Sequence, residues 1–384
     1  MATDIKPYSI QVPDSAMDSL KEKLGNATFA SQAEFSDDWD SGAPLSDVKR
    51  LAAYWRDGFD WRAQEAKLNR RAASPIASLY SSATAARPGN FLEALKILPL
   101  LTESETGPSF HVVAPSLPNF GFSDGVTKRG FSIPQYAETV HKLMLKLGYD
   151  KYVTQGGDWG YPITRLVGVQ YPENCMASHV NMVHATGPPA FTKTPWQYLV
   201  HLVSPYSADE KKGMSRSEWF RREGHGYAAI QTTKPSTLGF ALADSPVALL
   251  AWIYEKLHDW TDNYPWTDDE ILTWISIYQF SKAGPAANIR IYYEYKHTSL
   301  EQIAKAYDYV PNVPLGLSYF PRELVLPPKT WGRTLGPVVF EETHTSGGHF
   351  AAHEKPEELV QDLKKMFGEN GGAFKVAQQF QSKL

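Results

Sequence analysis

Apolar positions along the chain change rhythm three times. Up to about residue 70 they recur at helical spacing. In DVKRLAAYWRDGF, residues 47 to 59, Leu51, Tyr54, Trp55 and Phe59 fall near one helical face. Residues 71 to 90 (RAASPIASLYSSATAARPGN) lose that period. Ala and Ser dominate there, and PIASLY, from Pro75 to Tyr80, is the one strand candidate. From Phe110 onward strands and helices alternate. FHVVAPS reads as a buried strand and LPNFGFSD as a turn-rich loop. Ser132-Ile133-Pro134 then opens a helix with Ile133, Ala137, Val140, Met144 and Leu147 on one face, and Gly148 closes it. A strand from Tyr152 to Gln155 leads into the turn GGDWG and a helix from about Tyr161.

Residues 186 to about 297 read as helical and polar-aromatic. An example is VALLAWIYEKLHD, residues 247 to 259, with Ser245-Pro246 as its start signal. Strand patterns resume with PLGLSYF from Pro314 and PVVF from Pro337, and a helix follows from Pro356 to Phe367. The pattern predicts an N-terminal segment over 1–90, an α/β core over 91–185 and 298–384, and a helical lid inserted over 186–297. There is no internal repeat.

Composition narrows the function. The 384 residues suffice for one core plus an inserted piece. With 11 Trp, 20 Tyr and 18 Phe the chain can line apolar pockets, although most of those rings fill the core. A net charge of −4 gives no pull toward nucleic acid or an anionic membrane. The single cysteine, Cys175, has no partner for an internal disulfide and reads as a buried structural thiol. No stretch approaches the roughly 20 apolar residues of a membrane span. The last residues, Ser382, Lys383 and Leu384, form the tripeptide read by the peroxisomal import receptor. They predict a peroxisomal location, with the cytosol second.

Strand, tight turn and helix around QGGDWG form the context of a nucleophile elbow, with Asp158 where a serine commonly sits. Glu323 after PLGLSYF and His349 after PVVF follow in the order nucleophile, acid, histidine. Each stands just past a strand's C-terminal end, where open α/β sheets place ligands. A carboxylate is a poor nucleophile toward amides. It is adequate toward an sp³ carbon with a strained or good leaving group, and the product is an alkyl ester on the enzyme. His349 would activate water against that ester, with Glu323 orienting the imidazole. The aspartate therefore points to epoxides or alkyl halides and away from serine esterase chemistry. The bland alternatives are a helix N-cap for Asp158 and a surface acid paired with Arg322 for Glu323. His344, His349 and His353 could form a metal cluster, but no further ligand is spaced to complete it.

These motifs together resemble one family. GGDWG, SLPNFGFSD, FPREL (320–324) and GGHFAAHEKP (347–356) are similar to the microsomal-type epoxide hydrolases, fungal members included, as is the N-terminal IKPYSIQVPDSAMDSLKEKL. The resemblance covers most of the chain apart from residues 71 to 90. It implies an α/β-hydrolase core with a helical lid, an N-terminal segment wrapping the core, and pairing of two copies through the lid. It implies a lipophilic epoxide opened to a vicinal diol without a cofactor. It also implies two lid tyrosines on the epoxide oxygen: Tyr227, and Tyr292 or its neighbour Tyr293. The same matches put Trp159 and Phe120 at the substrate.

One motif departs. The family's HGxP turn, whose backbone helps form the oxyanion hole, is matched here by AARPGNFLE (85–93), without the His-Gly. The backbone N–H groups of Trp159 and Arg87 are the candidates for the hole. The preceding region is short, so the central sheet is expected to lack part of its strands around residues 71–90. Two further readings stand beside the epoxide hydrolase. One is a ligand-binding relative impaired by that turn; the other is a haloalkane dehalogenase with Trp159 on the leaving halide.

Overall fold

The computed structural model describes residues 5–72, 80–82, 89–103 and 107–381. Arg87, the strand-candidate residues 75–79 and the C-terminal Ser382, Lys383 and Leu384 lie outside them.

The α/β core is a parallel sheet. Its strands are β1 (Tyr80–Ser82), β2 (Val112–Val113), β3 (Tyr152–Gly156), β4 (Cys175–Val180), β5 (Leu315–Tyr319) and β6 (Val338–Thr343). Among the described residues the order is β2-β1-β3-β4-β5-β6. β1 bridges its neighbours, with Tyr80 opposite Val112 and Ser81 opposite Thr154. The sheet is therefore continuous across the region expected to be incomplete, although β1 has only three residues. FHVVAPS contributes Val112–Val113, and Val112 and Val113 are the residues that pair with β1. β3 and β5 are buried along their whole length, as strands covered by helices on both faces must be.

The helices used below are α1 (Asp14–Gly25), α2 (Leu45–Asp57), α3 (Trp61–Ala72), α4 (Leu92–Thr102), α5 (Ile133–Lys146), α6 (Gly160–Gln170), α7 (Pro195–Val203), α8 (Ala208–Trp219), α9 (Gly226–Thr233), α10 (Pro235–Asp244), α11 (Pro246–Asp259), α12 (Asp268–Gln279) and α13 (Arg290–His297). At the start of α5 the Ser132 N–H donates to the Gln135 side chain at 2.9 Å, a reciprocal cap the sequence signalled. Helices α7 to α13 lie between β4 and β5 in sequence.

The N-terminal segment is tied down by side chains. The Ile10 N–H donates to Asn69 at 2.8 Å and the Val12 N–H to Glu65 at 2.7 Å, which holds the lead strand-like stretch on α3. Its apolar face goes chiefly onto the inserted helices. One cluster joins Leu51, Trp55 and Trp61 to Leu250, Ile253 and Trp274, and reaches Phe350 of the core. Trp55 Nε1 donates to Ser276 at 3.1 Å, and Arg50 pairs with Asp268 at 2.5 Å. The segment expected to wrap the core thus packs largely on the inserted helices.

Cys175, the first residue of β4, is buried, and burial pushes its thiol up to about 12. Among the described residues no single helix is long and apolar enough to cross a membrane.

Candidate active site

The chain passes from β3 to α6 through a turn that side chains would block. A Cβ on Gly156 would lie 2.6 Å from the Gly160 carbonyl, and one on Gly157 would lie 2.9 Å from Asn181 Oδ1. Asp158, at the apex, has φ of +46°, the left-handed region. A non-glycine residue held there is strained, and aspartate tolerates it better than most. The turn places the carboxylate beyond the end of β3. Its Oδ1 accepts a 2.6 Å hydrogen bond from the Trp159 N–H.

Two further loops bring partners. Past β5, Glu323 is fully buried, and its Oε1 accepts from the Leu324 N–H at 2.7 Å. Past β6, the His349 N–H donates to the Trp260 carbonyl at 2.8 Å, which fixes the loop under the end of α11. The close approach needs Gly348, where a Cβ would sit 2.5 Å from that carbonyl. Gly347, at φ of +103°, turns the chain and donates its N–H to Asp262 at 2.8 Å. The result is a line of three groups. Glu323 Oε1 lies 2.6 Å from His349 Nδ1, and His349 Nε2 lies 3.1 Å from Asp158 Oδ2. The second distance is an ion-pair contact that lacks the alignment of a hydrogen bond.

Asp158 opens onto a cavity of about 960 Å³, whose walls include Trp159, His225, Tyr227, Tyr292 and Tyr295. Tyr227 comes from α9 and Tyr292 from α13, and their ring centroids stand 5.9 Å apart at 81°. Tyr292 also meets Trp159 edge-on at 4.8 Å. Tyr293 instead stacks on His297 at 4.0 Å, away from this cavity, so the register belongs to Tyr292. Phe120 is placed differently from its expectation. It is buried in the core cluster around Tyr136 and is absent from the cavity wall, because the turn at Asn119 to Gly121 points it inward. His344 and His353 have other partners, Asp362 at 2.6 Å and Glu270 at 3.5 Å, and no metal-binding group of His, Cys, Asp or Glu forms among the described residues.

Comparison with known proteins places this geometry. Residues 5–78 match the family model described as "Epoxide hydrolase N terminus", and residues 86–210 match "alpha/beta hydrolase fold". A Stigmatella aurantiaca protein named as an epoxide hydrolase is 36% identical, over 94% of this chain and 84% of that one. The chain belongs to the epoxide hydrolase family. The solved Aspergillus niger epoxide hydrolase is 33% identical and superposes with a TM-score of 0.80, over 94% of this chain and 95% of the other. The juvenile hormone epoxide hydrolase of the silkworm Bombyx mori is 25% identical with a TM-score of 0.84, over 99% and 96%.

In this epoxide hydrolase the charges are arranged tightly. Burial opposes a charge on His349, but the carboxylates of Glu323 and Asp158 outweigh it and hold its proton well above the usual histidine range. Two buried acids escaped the reading of the sequence. Burial pushes Glu93, at the start of α4, up to about 8; the His349 charge opposes this and the Asp158 charge adds to it. Its only sequence signal was its place in PGNFLE, the half-matched motif. Burial likewise pushes Glu354 up to about 7. Glu354 accepts from the Asp262 N–H at 2.8 Å and the Phe350 N–H at 3.1 Å, so it clasps the inserted helices to the histidine loop.

The Glu93 environment yields a sign for pH. Its folded pKa of about 8 lies above the ordinary 4.5, so the folded chain holds the extra proton between those values. Its contribution to stability is complete below pH 4.5 and is lost as pH rises through 8. Glu93→Gln cannot titrate, yet it keeps an acceptor for the Asn90 N–H. Denaturant midpoints across that window should fall less steeply in Glu93→Gln than in the natural chain. An unchanged slope would assign the loss to other groups.

Proposed function

We propose that this epoxide hydrolase works through a covalent ester on Asp158. The observation that carries the reading is the 3.1 Å approach of His349 Nε2 to Asp158 Oδ2, on the wall of a cavity that Tyr227 and Tyr292 share. Oδ2 attacks one epoxide carbon and that carbon's bond to oxygen breaks. The oxygen takes a proton from Tyr227 or Tyr292, which leaves a phenolate. The ester carbonyl oxygen, Oδ1, already lies at the Trp159 N–H.

Alkylation also prepares the second half. The ester carries no charge, so one of the two carboxylates holding the proton on His349 is gone. Burial then favours the neutral imidazole, so the His349 proton passes to the phenolate, and the neutral ring is the form that can act as a base. His349 takes a proton from water as the oxygen adds to the Asp158 carboxyl carbon, and the oxyanion forms at Oδ1. The bond between the carboxyl carbon and Oδ2 breaks, and Oδ2, leaving on the substrate carbon, takes the proton back from His349. The remaining proton of the water, left on the Asp158 carboxyl, passes to His349 and restores the resting pair. The sum is epoxide plus water giving a vicinal diol. A lipophilic epoxide fits the aromatic lining of the cavity. Halide release is the second reading, favoured by the Trp159 indole N–H, which is buried without a hydrogen-bond partner.

The lid also supports pairing of two copies, since Trp196, Leu202 and Val203 on α7 are 71%, 62% and 81% exposed. The tripeptide Ser382-Lys383-Leu384 supports peroxisomal delivery of a chain in which it stands free at the C-terminus.

His349→Gln should form the ester and fail to release it. Intact mass after incubation with aryl and alkyl epoxides should rise by one epoxide, mapping to Asp158, while Asp158→Asn should gain nothing and make no diol. A folded His349→Gln protein without any adduct would sink the mechanism, and the same assay with an alkyl chloride reads halide release. Sedimentation should show a dimer that Trp196→Glu with Val203→Glu dissociates; a monomer at all concentrations rules out pairing. An N-terminally labelled chain should collect in peroxisomes and disperse once Leu384 is deleted, and diffuse label before the deletion refutes that destination.

A further inference from the structure

Lys256 occupies a position that lysine avoids. On α11 it is only 3% exposed, among the apolar residues Leu249, Leu250, Ile253 and Leu257 of the same buried face. Lysine is almost never this buried unless its charge has a partner. Its Nζ lies 2.6 Å from Glu255 Oε1, and it stands over two aromatic rings. The Trp252 centroid is 4.6 Å away and the Tyr227 centroid 5.3 Å. An uncharged side chain of the same length would fill this space without the cost of burying an ammonium. The charge therefore calls for a reason beyond packing.

We propose that Lys256 is a positioning residue that sets the acidity of Tyr227. The inference rests on the reading of Tyr227 as a proton donor to the opening epoxide. Before reaction the ammonium meets the negative face of a neutral ring, a modest attraction. As Tyr227 gives up its proton the ring system gains a full negative charge, and the same ammonium meets it in a site with little water. The attraction is then larger in the transition state than in the resting site, which is the condition for a rate effect. The addition of water to the ester is carried by His349, so the effect falls chiefly on ring opening.

Other titratable groups also face the ring. His225, on the turn leading to α9, has its ring centroid 6.3 Å away, and burial draws it toward the neutral form. Tyr292 faces the ring from α13 at 5.9 Å, and Asp158 lines the same cavity. Glu255 sits beside the ammonium and offsets part of its charge. From α11, Lys256 brings the positive charge against the ring face.

The test is a cycle of Lys256→Met and Tyr227→Phe, singly and together, with Lys256→Arg as the conservative rescue. Single-turnover fluorescence with styrene oxide separates ester formation from ester breakdown. Ultraviolet titration of the phenolate band, taken as the difference from Tyr227→Phe, reads the ionisation of Tyr227 without substrate. Lys256→Met should slow ester formation about 3- to 30-fold and leave breakdown within about twofold. It should move the Tyr227 phenolate band to higher pH, because the cation that stabilised the phenolate is gone. Lys256→Arg should restore most of the rate, and in the Tyr227→Phe background Lys256→Met should add nothing. Equal slowing in both backgrounds, or an unmoved phenolate band, would overturn the inference while leaving Tyr227 as the acid. Unchanged ester formation in Tyr227→Phe would overturn the acid role itself, and this inference with it. Should Lys256→Met not fold, Lys256→Gln takes its place in the cycle.

Discussion

One hydrogen bond holds the site in register: the His349 N–H to the Trp260 carbonyl, at 2.8 Å. The sheet alone delivers Asp158 and Glu323, which leave the ends of β3 and β5 as any core loop would. The histidine loop is different, because its backbone is fastened to the last turn of an inserted helix. Trp260 serves both sides of the cavity. Its ring stands edge-on to His349 at 5.0 Å and to Tyr227 at 5.1 Å, so one residue locates the base and supports the acid. Gly348 is the local condition for this, since any side chain there would push the carbonyl away. The Glu354 carboxyl adds a second clasp between Asp262 and Phe350.

Much of this was legible in the order of the residues. A glycine-flanked Asp158 after a strand, then Glu323, then His349 is a pattern set by chain direction and strand ends, and such patterns survive in a linear text. The helices that begin with Ser132 and Ser245-Pro246 were legible for the same reason, because caps are local. What the text hid is non-local. The Trp260 carbonyl carries no sequence signal, since any residue could supply it. Tyr292 and Tyr293 were inseparable by composition; only the rotation of α13 puts one on the cavity and the other on His297. Phe120 carried a motif match, but its backbone turn sends it into the core. Lys256 was readable after all. Counting from Leu249 through Ile253 in steps of four and three lands on it, where the buried face of the helix expects an apolar residue.

The electrostatic pattern follows from depth. Near the cavity the chain buries Asp158, Glu323, Glu93 and Glu354 with only His349 between the first two. Four ionised acids in so small a volume would repel strongly, and the protein relieves this by leaving two of them with their protons near neutrality. Those two neutral acids are structural acceptors for backbone N–H groups, while the two around the imidazole keep it charged. Burial and proximity thus assign different tasks to the same side-chain chemistry.

The grip of α1 to α3 on α11 and α12 has a consequence for traffic. To swing the inserted helices off the core, the chain would have to strip Leu51, Trp55 and Trp61 from their apolar surroundings, at roughly 1.5–3 kcal/mol for each large side chain. An excursion of that cost is sparsely populated. Admission of a substrate then falls to movements of the side chains that line the cavity, rather than to a swing of the inserted helices as a body.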